Sequence, residues 1–205
     1  GSGSKLFNDR FGWGVLDAEQ AVKGPGAFWR IFGNAFKADV DNSKPMYVFS
    51  NDIIGDAGLE KSGLGTLVLS GNNAYTGATD VVQGKLVITG SVAGNVNIGE
   101  NGYLAGGGAA GKNVSNSGVL STGYGPFKIG GDYTQASTGT LQYTLNKHLD
   151  IAGKAGLDGS LSVIASDSKY VSKGEHLVLN ANGGVAQEAA RLSKELKATE
   201  KEKKI

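Results

Sequence analysis

GLEKSGLGTLVLSGNNAYTGATDVVQGKLVITG, residues 58–90, holds two short apolar runs, Leu67-Val68-Leu69 and Leu86-Val87-Ile88. A glycine follows each run, at Gly71 and Gly90, and the turn-forming Asn72-Asn73-Ala74-Tyr75-Thr76-Gly77 lies between them. The runs begin 19 residues apart, and similar strand-glycine units continue downstream. Each unit is too thin to bury its own apolar side, so the pattern is that of a chain coiling in stacked rungs. Composition agrees. Glycine supplies 34 of 205 residues, well above the usual share of about 7%. Of these, 23 lie between Gly58 and Gly159, so the excess belongs to one region. Three prolines are too few for a collagen-like or proline-rich disordered chain.

Working outward, Met46–Phe49 and Asp52–Ile54 read as opening strands. Further short strands follow at Val96–Ile98, Tyr103-Leu104, Val114, Val119-Leu120, Phe127–Ile129, Tyr133, Thr140–Leu145, Leu149–Ile151 and Ser160–Ile164. In Thr140–Leu145 the alternation puts Leu141, Tyr143 and Leu145 on one side. Phe28, Trp29, Ile31, Phe32 and Phe36 are the densest aromatic cluster and precede the first clear rung. Such density calls for burial, as a plug on the first rungs, with a ligand-binding aromatic platform as the alternative. Residues 11–23 turn helical, with Val15, Ala18 and Val22 at i, i+3 and i+7 before Gly24-Pro25-Gly26 ends the run; a helix here would cap the open end of a solenoid. From Gly183 the composition changes. Val185, Ala189, Leu192 and Leu196 form one narrow helical stripe among alternating Glu and Lys, with Arg191–Glu195 and Glu200–Lys204 as i,i+4 pairs. That reads as a frayed surface or linker helix, or as a short self-association coil. Gly1-Ser2-Gly3-Ser4 reads as a cloning scar.

Residues 58–79 also resemble a known family. The autotransporter-associated β-strand repeat runs roughly G-L-x-K-x-G-x-G-T-L-x-L-S-G-x-N-x-Y-T-G-x-T. Gly58, Leu59, Lys61, Gly63, Gly65, Thr66, Leu67, Leu69, Ser70, Gly71, Asn73, Tyr75, Thr76, Gly77 and Thr79 all fall on it. Gly131–Gln135, Gly139–Leu145 and Leu149–Leu161 resemble the autochaperone part of autotransporter passengers, which in the family folds first and templates later rungs. Gly12, Gly14, Asp17, Ala18 and Ala21 look like the last helix of a subtilisin-like protease domain. The resemblance implies a division into the scar at 1–4, the end of a subtilase-like domain and an aromatic cap at 5–40, a β-solenoid stalk at 41–180 with an autochaperone-like part at about 130–180, and a charged helical tail at 181–205.

The expected architecture is therefore all-β: a right-handed parallel β-solenoid with a short N-terminal capping helix and a C-terminal charged helix. The resemblance implies a non-catalytic stalk of a bacterial surface serine protease, displayed outside the outer membrane. Its partners would be its own upstream protease domain and a downstream outer-membrane barrel, and the chain itself would be monomeric. An adhesin-type solenoid binding a host glycan or protein is the alternative, and a polysaccharide-active β-helix a weaker one.

Several motifs imitate chemistry. Gly106–Asn113, GGGAAGKN, nearly spells a phosphate-binding loop, but Asn113 stands where a Ser or Thr hydroxyl must reach magnesium, and a strand follows rather than a helix. Ser166-Asp-Ser-Lys169 matches Ser-x-x-Lys without the companion motifs. A triad needs an oriented histidine, and the two present, His148 and His176, adjoin no nucleophile motif. Asp132, Asp150 and Asp158 recur along the rungs but lack the tandem nonapeptides of a calcium roll. Asn113-Val-Ser115 fits a glycosylation sequon. Without cysteine there is no disulfide and no thiolate metal site. Charge nearly balances, 20 Lys and Arg against 19 Asp and Glu, so nothing points to nucleic acid. The sequence thus offers no catalytic, cofactor-binding or metal-binding residue.

Overall fold

The computed structural model describes residues 22–164 and 175–185. These residues form a parallel β-solenoid whose turns each present three faces. The first face stacks Ala35–Asp39, Gly58–Ser62, the start of Thr79–Ile88, the start of Val96–Ala105, Val114–Asn116, Tyr133–Gln135 and Ala155–Gly156. The second stacks Tyr47–Phe49, Thr66–Leu69, the ends of the two ten-residue strands, Val119–Ser121, Thr140–Thr144 and Ser160–Ile164. Asn72–Asn73, Ser91–Val92, Ala109–Ala110, Phe127–Ile129, Leu149–Ile151 and Leu179–Ala181 make the third, a six-stranded sheet. Every one of these pairings is parallel.

The opening stretch behaves as its spacing requires. Leu67 stacks on Leu86, Leu86 on Leu104, then Leu120, Leu141 and Leu161 follow in register, at steps of 19, 18, 16, 21 and 20 residues. The first five of these leucines are buried and the sixth packs against the core they form. A parallel strand buries whatever alternate positions face inward, so one leucine per turn gives a continuous apolar spine. Two expectations need correction. Asn72–Asn73, read as part of a turn, is a strand of the third face, and Tyr75 beyond it is wholly buried. Val96–Ile98 and Tyr103-Leu104 are one strand, Val96–Ala105, with an irregularity between Ile98 and Asn101. The two expected helices fall on residues 11–23 and 183–205, almost wholly outside the described residues. Among the described residues the one helical element is the three-residue 3-10 turn Arg30–Phe32.

Corners decide whether such a coil can close, because the chain leaves the ladder there and its carbonyls lose partners. Between faces one and two, side chains supply the missing donors. Lys61 is fully buried at a position where the neighbouring rungs place Val81 and Ile98. Its ammonium donates to the carbonyls of Ser62, Gly63 and Gln83 at 2.7, 2.8 and 2.9 Å, using all three protons. Asn116 and Gln135 do the same three and four turns later. Asn116 Nδ2 donates to the Thr140 carbonyl and the Tyr133 hydroxyl, Tyr133 donates to Gln135 Oε1, and Gln135 Nε2 reaches the carbonyls of Gly139, Asp158 and Ser160. The donors occur where the chain breaks between the two faces. Where it runs through as one ten-residue strand, the same position is apolar.

Between the third face and the first, an Asx ladder repeats the device on the outside. Asn95 Oδ1 accepts the Asn113 amide, Asn113 Oδ1 the Asp132 amide, and Asp132 Oδ1 the Lys154 amide, at 3.2, 2.9 and 2.8 Å. At the first corner Gly63 and Gly84 both have φ near +70° and sit in contact, so a side chain on Gly84 would strike the Gly63 carbonyl. Connections at this corner run from none, in the two ten-residue strands, to the seven residues Val40–Met46; between faces two and three, among the described residues, they run from two (Ser70-Gly71) through three (Gly106–Gly108) and four (Leu145–His148) to five (Thr122–Pro126).

Three outcomes follow from this packing. Leu104→Ala should cost about 2–5 kcal/mol in urea unfolding, since it opens a hole in the middle of the spine; the exposed Val48→Ala should stay within about 0.5 kcal/mol. Lys61→Met should destabilise by about 2 kcal/mol, because three corner carbonyls lose a charged donor. Burial pushes the hydroxyls of Tyr75 and Tyr133 well above the ordinary tyrosine value of 10.0. The folded state therefore keeps these protons while the unfolded chain releases them, so stability is intact below pH 10 and falls as pH rises beyond it. The loss is about 1.4 kcal/mol per tyrosine for each pH unit. Urea midpoints between pH 8 and 11.5 should drop less steeply in Tyr75→Phe than in the parent chain.

Candidate functional site

The sequence-derived candidates land on structural duties. In Gly106–Asn113 the loop amides are already committed: Gly108 donates to the Ile88 carbonyl, Ala109 to Gly90 and Gly111 to Val92, at 3.1, 3.0 and 2.7 Å. Gly106 has φ +144° and no room for a side chain against Ile88. The strand Val114–Asn116 follows, so neither the amide cradle nor the helix of a phosphate loop is built here. Ser166 and Lys169 lie outside the described residues. His148 Nε2 stands 3.1 Å from Asp150 Oδ1, and both side chains are about a third exposed. His176 is half-buried on the approach to the last third-face strand. Asp132 belongs to the Asx ladder, and Asp158 Oδ1 accepts its neighbour Gly159's amide at 2.7 Å. Among the described residues no three acids or histidines gather as metal ligands would. Asn113 of the sequon also spends its side-chain oxygen on the ladder.

Two features were not foreseen. On the outside of face two, Lys85 Nζ lies 4.9 Å from the Tyr103 ring centroid and 5.0 Å from that of Tyr124, and donates to the Tyr124 hydroxyl at 3.2 Å. Tyr103 in turn donates to Gln142 Oε1. This cation–π bracket pins the loop Thr122–Pro126 back across two turns; Val87, Ala105 and Ser121 are buried although they sit on the outward side of their strands. Nothing but the spacing of Lys85, Tyr103 and Tyr124, at 18 and 21 residues, announced it. The second is a tight turn at Asp41, whose carboxylate accepts the Ser43 amide, the Ser43 hydroxyl and the Tyr47 hydroxyl at 3.0, 2.6 and 2.9 Å. Those bonds, the Ser43 hydroxyl's first among them, hold its pKa below the usual carboxylate range.

The concave feature that remains is at the N-terminal end. Phe28 is buried, stacks on Phe36 at 4.8 Å and meets Tyr75 at a tilt at 5.0 Å; Phe36 meets Phe49 edge-on at 6.2 Å. So the expected plug forms through Phe28. The rest of the cluster stays open: Ile31 is 81% and Phe32 83% exposed, on the 3-10 turn, and Trp29 and Phe36 are more than a third exposed. Beside them is a cavity of about 500 Å3 lined by Phe28, Trp29, Phe32 and Phe36, with Lys37 and Glu60 on its rim, paired at 3.7 Å. Its lining is mostly aromatic, with Lys37 and Glu60 as its charged members, which suits apolar surface.

Comparison with known proteins points the same way. Residues 59–88 match the passenger-associated-transport-repeat family. Over 172 residues, 80% of this chain, the sequence is 36% identical to a neisserial autotransporter lipoprotein, NalP, of Neisseria meningitidis serogroup B, of which that stretch is 16%. It is 51% identical over 78 residues (38% of this chain, 8% of the relative) to an extracellular serine protease of Serratia marcescens. It is also 32% identical over 133 residues (57% of this chain, 4% of the relative) to the adhesin BmaC autotransporter of Brucella suis biovar 1. The chain thus spans well under a fifth of each of these relatives. With the repeat at residues 59–88 sitting on the first complete turns of a parallel solenoid, and the likeness extending over most of its length, the chain belongs to the passenger β-solenoids of autotransporters.

Proposed function

We propose that this chain is the non-catalytic stalk of a secreted bacterial surface serine protease autotransporter, with a catalytic domain before residue 1 and an outer-membrane barrel after residue 205. The observation that carries this is the unbroken ladder from Leu67 to Leu161, in which every turn is stabilised by its neighbours while no cluster of reactive side chains interrupts it. The likeness to an extracellular serine protease and to an autotransporter lipoprotein supports the assignment of the parent. The stalk would stand outside the cell and coil with the right-handed sense favoured by parallel crossovers.

Residues 130–180 are the proposed autochaperone. Support comes from the network of Asn116, Tyr133 and Gln135, which ties three consecutive turns together through buried side chains. A stable end of this kind is where a solenoid's folding can start and propagate. A second reading, an adhesive solenoid, is favoured by the likeness to an adhesin autotransporter and by the exposed Tyr124 beside Lys85.

In the full-length parent, deleting residues 130–180 should lower the amount of passenger accessible to trypsin on intact cells at least several-fold. Unchanged display would sink the autochaperone role. The isolated chain should show no inhibitor-sensitive hydrolysis of general peptide substrates; such hydrolysis would overturn the non-catalytic assignment.

A further inference from the structure

Glycine follows an asparagine or aspartate at three places in the chain, Asn101-Gly102, Asp158-Gly159 and Asn182-Gly183. At such pairs the backbone amide can reach the side chain before it, because glycine puts no Cβ in the way and bends freely. The fold treats the three differently. Asn101-Gly102 lies inside the strand Val96–Ala105, paired with Gln83 and Gly84 of the preceding turn. Gly183 gives its amide to the Gly153 carbonyl at 2.8 Å, and Asn182 gives its own to the Ile151 carbonyl at 3.0 Å. Asp158-Gly159 belongs to no strand. It sits in the connection between Ala155–Gly156 and Ser160–Ile164, with Asp158 exposed. Here the Gly159 amide donates to the Asp158 carboxylate, at 2.7 Å from Oδ1, and not to a carbonyl of the ladder. The nitrogen therefore stands roughly 3–3.5 Å from the carbon bonded to that oxygen, the separation of a near-attack arrangement. Gln135 Nε2 holds the corner in this pose, since it donates to the carbonyls of Asp158 and Ser160 on either side of Gly159. The φ of +68° at Gly159 keeps the backbone out of the extended form.

We propose that Asp158-Gly159 is a self-modification site, at which the folded chain converts Asp158 to isoaspartate. The Gly159 nitrogen bonds to the Asp158 Cγ, and one carboxyl oxygen leaves as water together with the amide proton, closing a five-membered imide. Water then opens the ring. Addition at the side-chain carbonyl restores aspartate, whereas addition at the main-chain carbonyl leaves the chain running through Cβ. The water lost in the first step returns in the second, so the mass is unchanged and no other reactant takes part. The product matters to the fold. Isoaspartate adds one carbon to the backbone of this corner, and the Asp158 carbonyl that Gln135 holds becomes a free carboxylate. The corner feeds Ser160–Ile164, which pairs with Thr140–Thr144, so its lengthening would loosen the last turn of face two among the described residues. The chemistry does not depend on the stalk assignment, although its effect falls within residues 130–180.

Water enriched in heavy oxygen reads the reaction directly, because each passage through the imide leaves one heavy oxygen in the peptide that contains Asp158. The full chain, kept folded in such water at neutral pH for several weeks, should label Asp158 several-fold faster than the same chain unfolded in guanidinium. Label should also appear there ahead of deamidation at Asn101 and Asn182. Methyl transfer to the same peptide by an isoaspartyl methyltransferase should grow in step with it. Asp158→Glu, with its carboxyl one methylene further out, should lose both signals while the far-ultraviolet strand signal is unchanged. Asp158→Asn should react faster than the parent, since ammonia leaves an amide more readily than water leaves a carboxylate. Labelling no faster in the folded chain than in the unfolded one would overturn the proposal, as would earlier reaction at Asn101 or Asn182. Methyl acceptance that persists in this peptide of Asp158→Glu, or a slower Asp158→Asn, would do the same.

Discussion

A parallel strand of three to five residues cannot complete its own hydrogen bonding, so each turn of this chain exists only because the turns on either side answer its amides and carbonyls. Everything else in the molecule serves that constraint. The leucine spine sets a repeat of 16 to 21 residues, and the register it imposes lines up the backbone groups. Corners are the weak points, because there the backbone leaves the ladder. Lys61, Asn116 and Gln135 fill them from inside, and Asn95, Asn113 and Asp132 from outside.

The two kinds of corner filling differ in cost. An Asx side chain at the surface replaces water with a protein acceptor and gives up little. Lys61 carries a charge into a place with no solvent contact, and burial pushes its ammonium below the usual lysine value. Three carbonyl dipoles offset that penalty, each aimed at one proton. Where the strand runs through the corner, as at Val81 and Ile98, no carbonyl is orphaned and an apolar residue suffices.

The spine was readable because it is written in one letter. Leu67 and Leu86 at a 19-residue spacing predict each other, and the later leucines extend the pattern in spite of uneven steps. Corner donors were not readable. Lys61 matches the repeat motif, yet lysine is ordinarily a solvated residue, and only the stacked carbonyls of Ser62, Gly63 and Gln83 give it a reason to be inside. Asn72–Asn73 misled for a related cause: asparagine signals a turn by its local bonding, whereas here Asn73 Nδ2 also donates to the Ser91 carbonyl and its Oδ1 accepts the Ile53 amide, reaching the turns on both sides. The aromatic cluster misled in part. Burial of Phe28 followed from its chemistry, but Ile31 and Phe32 sit on a 3-10 turn that directs them away from the core, where composition has no say. The bracket of Lys85, Tyr103 and Tyr124 depends on a loop folding back over two turns, and short-range pattern carries no trace of that.

The unequal corners have a consequence for how such a scaffold diversifies. From the third face back to the first, four successive connections have three residues each, and the Asx ladder runs through them, so an added residue there would break it. Between faces one and two the connection ranges from none to seven residues, and between faces two and three, among the described residues, from two to five. Variation is thus channelled to two ridges of the prism. Those ridges are where evolution can hang new cargo on an old shaft, and where a peptide epitope could be grafted while the shaft stays intact.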